Sequence, residues 1–147
     1  MSKLNNHSLF LLFVNRFCYD VGRVISKKYR LTVNERNTLI VLSNLEINSV
    51  TELSAYLSIS KTNTSKVLSS LEKKNLILRI LDKNDKRQNQ MFLTEEGKEL
   101  ADIVITEISN LFIKRISRFP DQLTEKINNL VNEYSEQIKL NSYSSNK

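Results

Sequence analysis

Lys61, Thr62, Asn63, Ser65, Lys66 and Ser69 fall within nine residues, and all six are small and polar or basic. Hydroxyl and amide groups exchange hydrogen bonds with base edges and phosphate oxygens, and an ammonium neutralises a phosphate. A second charged set follows at Arg79, Asp82, Lys83, Asp85, Lys86 and Arg87. A guanidinium is drawn to a narrow groove of concentrated negative potential. A carboxylate beside it can pair with one arginine, hold a loop in shape and aim another outward. The chemistry these residue types offer is recognition of a polyanion, with no bond made or broken.

The rest of the inventory agrees. The chain has one histidine, His7, and one cysteine, Cys18. It has no glycine-rich phosphate loop, no catalytic set containing histidine and no Cys/His cluster. The expectation is therefore no enzyme, no metal and no cofactor. A lone cysteine also excludes an intrachain disulfide framework and fits a reducing, cytoplasmic setting. The apolar run Leu9 to Val14 is too short to span a bilayer, so no membrane partner is expected.

Charge placement says more than net charge. The total is +6. Residues 60–90 hold eight Lys or Arg against three Asp or Glu, and residues 1–30 hold six against one, so each segment is +5. Residues 31–59 and 91–147 are each −2. A basic block in mid-chain suits a nucleic acid.

These groups need elements to position them. Two glycines and one proline in 147 residues favour a mainly helical chain. Leu4 to about Tyr29 reads as a long helix, with Phe10, Phe13, Phe17, Val21 and Val24 at spacings of three and four. Thr32 and Glu35 form a capping box for a second helix to about Leu45, with Leu39, Ile40 and Leu42 inward. Asn44 to Ser49 is a loop. Thr51 can cap a short helix carrying Leu53, Tyr56 and Leu57. After the turn Ser58-Ile59-Ser60, Ser60 can cap a helix over 61–73 that turns Thr64, Val67, Leu68 and Leu71 inward. That is the organisation of a helix-turn-helix, whose second helix enters a major groove. An ordinary amphipathic helix pair has the same pattern.

The downstream segment favours the first reading. Asn75 suits a left-handed C-cap. Leu76 to Leu81 and Gln90 to Leu93 read as strands, joined by a charged tip over 82–88. A β-hairpin directly after a recognition helix is a wing. Lys83, Lys86 and Arg87 would reach the duplex, and Arg79, Asp82 and Asp85 would shape the hairpin. Thr94 caps a further helix through Ile116, and Pro120 opens a last helix at its first turn.

From Leu31 to Leu100 the chain resembles the MarR family of bacterial transcription regulators. The likeness lies in linked segments in order: "LTVNE", "VTELSAYLSISKTNTSKVLSSLEKKNLI", "LEKKNLILR", the wing stretch "DKNDKR" and "LTEEGKEL". The sequence departs from the family pattern at Asn75, where glycine is usual, at Asn84, where the wing often has its first arginine, and at Thr64, where an aliphatic residue is common.

The resemblance implies a mainly α fold with a small β-hairpin wing, a winged helix-turn-helix over 31–100. N- and C-terminal dimerisation helices would lie at 1–30 and 101–140, with a flexible tail over 141–147. It implies a homodimer that binds double-stranded DNA at a pseudo-palindromic operator, and a repressor. It also implies a small-molecule effector of unknown identity, with Arg16, Tyr19 and Arg23 bordering a candidate cleft. The alternative is a helical protein-interaction module on the same fold that has lost DNA binding. Cys18, in mid-helix and flanked by Phe17 and Tyr19, is expected to be partly buried and structural rather than redox-sensing.

Overall fold

The structure is a computed structural model that describes residues 6–47, 49–81 and 89–144. Its elements in chain order are α1 (Asn6–Tyr29), α2 (Val33–Asn44), α3 (Val50–Tyr56), α4 (Lys61–Lys73), β1 (Ile77–Leu81), β2 (Asn89–Leu93), α5 (Glu95–Ile116) and α6 (Asp121–Ser144). The mainly α architecture with one antiparallel hairpin is the expected fold class.

Residues 1–33 and 34–147 form two compact units. Within the first, α1 buries Val21 and Ile25 but leaves Leu9, Phe10, Leu11 and Leu12 more than half exposed. Arg30 follows α1 at φ 55°, the left-handed conformation that ends a helix. Cys18 is exposed rather than partly buried. The apolar stretch that precedes it on α1 is not covered within the single chain.

In the second unit, α3 packs on α4, α4 on β1, and α5 on β2. The inward face of α4 is the expected one: Thr64, Leu68 and Leu71 are fully buried and Val67 nearly so. A hydroxyl at an apolar position is tolerated because Thr64 Oγ1 donates to the Ser60 carbonyl at 3.0 Å. On α2 the buried face is Glu35, Thr38, Leu39 and Val41, whereas Ile40 and Leu42 are only half-buried. On α3 Leu53 is fully buried while Tyr56 is 47% exposed, which corrects its expected inward place. A helix this short turns only one narrow face to α4, and Leu53 and Ser54 fill it.

The first backbone N–H groups of a helix lack partners within it, and side-chain oxygens accept from them at α3, α4 and α5, at the last two from the expected residues. Ser60 Oγ accepts from Asn63 N and Thr94 Oγ1 accepts from Gly97 N, both at the expected caps. Ser49, not Thr51, caps α3: its Oγ accepts from Glu52 N at 3.2 Å and donates to Glu52 Oε2 at 2.8 Å. Thr51 lies inside the first turn, where its carbonyl accepts from Ser54 Oγ. Pro120 stands just before α6 and its carbonyl takes the first helical bonds, from Leu123 N and Thr124 N. That helix runs to Ser144, so the tail expected from 141 is helical as far as Ser144.

Two helix ends are Schellman closures. After α3, Ser58 N donates to Ala55 O and Ile59 N to Ser54 O, with Ser58 at φ 54°. After α4, Asn75 N donates to Glu72 O and Leu76 N to Leu71 O, with Asn75 at φ 57°. The second closure turns the chain straight into β1. There the register pairs Ile77 with Leu93, Leu78 with Phe92 and Arg79 with Met91. One hairpin face carries Ile77, Arg79 and Met91 inward, and the other leaves Leu78, Ile80 and Phe92 exposed. Beside this turn lies Gly97, where an added Cβ would collide with the Leu76 carbonyl oxygen.

Two outcomes follow for stability, both measured by urea unfolding at fixed protein concentration. Gly97→Ala should destabilise by about 1–3 kcal/mol, because backbone cannot give way as a side chain can. At Asn75, whose φ is positive, Asn75→Gly should stabilise by up to about 1 kcal/mol and Asn75→Val should destabilise by about 1–2 kcal/mol. An Asn75→Val chain as stable as the parent would contradict the closure.

Candidate nucleic-acid interface

The site is built on α4. Its apolar stripe faces the core, and the rest of its circumference divides into two edges and an outward face. Among the expected contact residues, Lys61, Thr62, Ser65, Lys66 and Ser69 are exposed and Asn63 is half-buried. Thr62, Ser65, Lys66, Ser69, Ser70 and Lys73 line one open concave surface. Five of the six expected helix residues are thus accessible, four of them on this one surface, and Lys73 joins them. Asn63 sits closer to the protein, with its backbone N–H given to Ser60.

One edge of α4 is held by Glu35. This carboxylate on α2 is only 2% exposed. Its Oε1 accepts from Ser70 Oγ at 2.7 Å and from Lys74 Nζ at 2.7 Å. A buried carboxylate needs both charge and hydrogen bonds to offset its lost hydration, and Lys74 and Ser70 supply them. Sequence reasoning assigned Glu35 to a capping box. The contact with Ser70 and Lys74 spans 35 and 39 residues, and no local pattern announces it.

The opposite edge is held by Arg79 on β1. Its Nη2 donates to Ser69 Oγ at 2.9 Å and makes a long 3.5 Å approach to the Ser65 carbonyl. Its Nε lies 3.1 Å from Glu72 Oε2, an ion pair by distance whose N–H is not aimed at the carboxylate. The expected partners of Arg79 were Asp82 and Asp85. The contacts found are with α4, so Arg79 joins the root of the wing to the recognition helix. Ser69 accordingly accepts from Arg79 and keeps its own proton to donate outward.

Asp82, Lys83, Asp85, Lys86 and Arg87 lie outside the described residues. Arg16, Tyr19 and Arg23 are all exposed on α1, at spacings that share one helix face, and Arg16 Nε lies 3.5 Å from Asp20 Oδ2. A cleft of about 880 Å³ lies elsewhere, between the end of α2, α3, β2 and α5, lined by residues that include Leu45, Glu52, Met91, Leu93 and Asp102. Among the described residues no cluster of three or more His, Cys, Asp or Glu is placed to hold a metal ion. No helix among them is long and apolar enough to cross a membrane.

A helix pair joined by a tight turn, followed at once by a two-stranded hairpin braced against the second helix, is a winged helix-turn-helix. Residues 31–88 match the model of the MarR family. The transcriptional regulator BilQ of Clostridioides difficile (strain CD3) is 27% identical over 113 residues, 77% of this chain and 70% of that protein. Of solved structures, a Staphylococcus aureus MepR–DNA complex superposes with a TM-score of 0.70 at 20% identity, covering 91% of this chain and 99% of that one. Wild-type MarR of E. coli in its apo form superposes with a TM-score of 0.75 at 16% identity, covering 90% and 98%. At such identities the structural likeness is one of fold. The family model matches residues 31–88 and the curated relatives are under 30% identical, so over its winged helix-turn-helix the chain is similar to the MarR family of transcriptional regulators.

Proposed function

We propose that the protein is a sequence-specific DNA-binding regulator that works as a homodimer in the cytoplasm and represses transcription from a pseudo-palindromic operator. Its role is binding rather than catalysis. The observation that carries this reading is the division of labour around α4. The side chains of Ser70, Lys74, Ser69 and Glu72 are engaged by Glu35 and Arg79 along the two edges. Between them, Thr62, Ser65, Lys66 and Lys73 present donors and positive charge to the open. Small side chains let the helix backbone approach a groove floor, and lysines meet phosphates. Arg87, Lys83 and Lys86 on the wing tip belong to the same surface in this reading. MepR, which shares the fold, is known as a complex with DNA.

The homodimer rests on a second observation. Ile103 and Ile113 on α5 and Leu123, Leu130, Val131 and Tyr134 on α6 are each more than 40% exposed. Leu9 to Leu12 on α1 are likewise exposed. Isolated exposed apolar residues are ordinary, but whole helix faces are not. We assign residues 1–30 and 101–140 to the dimer interface and 31–100 to DNA binding. A small-molecule effector cleft bordered by Arg16, Tyr19 and Arg23 belongs to this proposal, since the three share one exposed face of α1.

Selection of bound duplexes from random DNA, followed by mobility shifts over a salt series, tests the DNA reading. The dimer should select half-sites about 10 bp apart, with affinity falling steeply as salt rises. Lys66→Ala should weaken binding, and Arg87→Ala should cost about 1–3 kcal/mol if its guanidinium enters a groove. A chain that shifts no duplex at low salt would be the protein-interaction module instead. Arg87→Ala within twofold of the parent throughout would remove the wing from the interface.

Sedimentation tests the assembly. Deleting 1–25 or 119–147 should abolish the dimer and leave a poorly soluble chain. A truncated chain that remains a soluble dimer would refute the interface.

A further inference from the structure

The apolar stripe of α4 fixes how deeply the helix beds into the core, but such contacts are non-directional and tolerate some rolling about the helix axis. Rolling matters here. Successive residues of an α-helix are about 100° apart, so a roll of one position would put Ser70 where Ser69 now faces outward. Hydrogen bonds are directional, and two of them from one rigid element resist such a roll. Glu35 provides that pair. Ser70 and Lys74 are four residues apart and lie on the same edge of α4. Both end on the same buried Oε1 at 2.7 Å. Arg79 opposes the roll from the other edge, through Ser69 and Glu72.

We propose that Glu35 is a positioning residue for operator recognition. It sets the rotation of α4 and so decides which side chains reach base edges, without itself touching DNA. The proposal rests on the DNA-binding reading above. Its carboxylate is only 2% exposed and is already taken up by Ser70 and Lys74, and it repels rather than attracts a phosphate. Its effect must therefore appear in specificity and not in general affinity for polyanions.

The test compares the full-length parent with Glu35→Ala, Glu35→Gln and Ser70→Ala. Each is titrated with the selected operator and with an unrelated duplex of equal length, across a salt series, at a temperature where thermal melts show every variant folded. Glu35→Ala should lose about tenfold or more in the ratio of operator to unrelated affinity, the scale of one lost base-pair contact. Its affinity for the unrelated duplex should not fall below that of the parent, because no phosphate contact is removed and Lys74, released from Glu35, can only add to it. Glu35→Gln keeps an acceptor oxygen in place and should recover most of the ratio. Ser70→Ala removes one of the two bonds from the helix side and leaves the Glu35 carboxylate paired with Lys74. It should lose a smaller part of the ratio, and adding it to Glu35→Ala should change nothing more.

An unchanged ratio in both Glu35→Ala and Ser70→Ala overturns the proposal. So does an equal loss on both duplexes, which would make Glu35 a residue of stability alone. If Glu35→Ala does not fold, the ratio measured for Ser70→Ala decides. A parent that binds neither duplex defeats the underlying reading itself, a result distinct from a Glu35→Ala chain that discriminates as well as the parent.

Discussion

The peptide unit between Asn75 and Leu76 is the constraint on which the arrangement of this molecule depends. Leu76 N donates back to Leu71 O and closes α4. The Leu76 carbonyl then accepts from Thr94 N at 3.1 Å, closing the hairpin at its far end. The Asn75 carbonyl accepts from Thr94 Oγ1 at 2.8 Å, and that same oxygen caps α5 by accepting from Gly97 N at 2.9 Å. Three elements thus meet at a few backbone groups: the recognition helix, the wing and the long helix α5. The donors and acceptors of this crossing satisfy one another, as burial requires. Asn75 supplies the left-handed turn and Gly97 the absence of a Cβ. Gly97 could not take a Cβ without displacing the Leu76 carbonyl, and at Asn75 the positive φ penalises most other side chains.

From that crossing, the pose of α4 follows in layers. The apolar stripe gives depth, the Schellman closure gives the end of the helix, and Glu35 and Arg79 hold its two edges. The wing is connected to α4 twice, through the chain at Asn75 and through the side chain of Arg79. A hairpin joined only by its chain could swing about that joint, and the guanidinium bridge to Ser69 and Glu72 restricts the swing. The helix and the root of the wing therefore act as one unit toward a duplex.

What was legible in the sequence was mostly local. The caps at Ser60 and Thr94, the inward stripe of α4 and the left-handed Asn75 depend on neighbours within four residues, and sequence carries that information directly. The cap of α3 was missed: sequence reasoning gave it to Thr51 and left Ser49 in the loop, whereas Ser49 and Glu52 form the capping box. What was not legible is non-local. The hold of Glu35 on Ser70 and Lys74 lies far along the chain from the capping box that Glu35 suggests locally. Arg79 is on a wing strand as expected, but its contacts with Ser69 and Glu72 come from strand pleating that turns its side chain toward α4. Gly97 looked like a residue near a helix start, and its function is to let another segment's carbonyl come close. The family resemblance supplied the expectation of dimer helices at both ends, whose exposed faces on one chain periodicity alone would have placed in a core.

The same distinction separates pose from contact within α4. Glu72, Ser70 and Lys74 have their polar groups engaged inside the protein, so they cannot serve a duplex without abandoning Glu35 or Arg79. Among the described residues, Thr62, Lys66 and Lys73 carry no such engagement, and a phosphate or base edge would take nothing from the fold. Ser69 belongs to both sets. Its oxygen already accepts from Arg79 at 2.9 Å, leaving one proton and one lone pair. A hydroxyl polarised by a guanidinium is a better donor, so Ser69 is suited to an acceptor on the duplex, a phosphate oxygen or the N7 or O6 of guanine. Arg79 in this way shapes the interface chemically as well as mechanically, through a residue it touches rather than through its own reach.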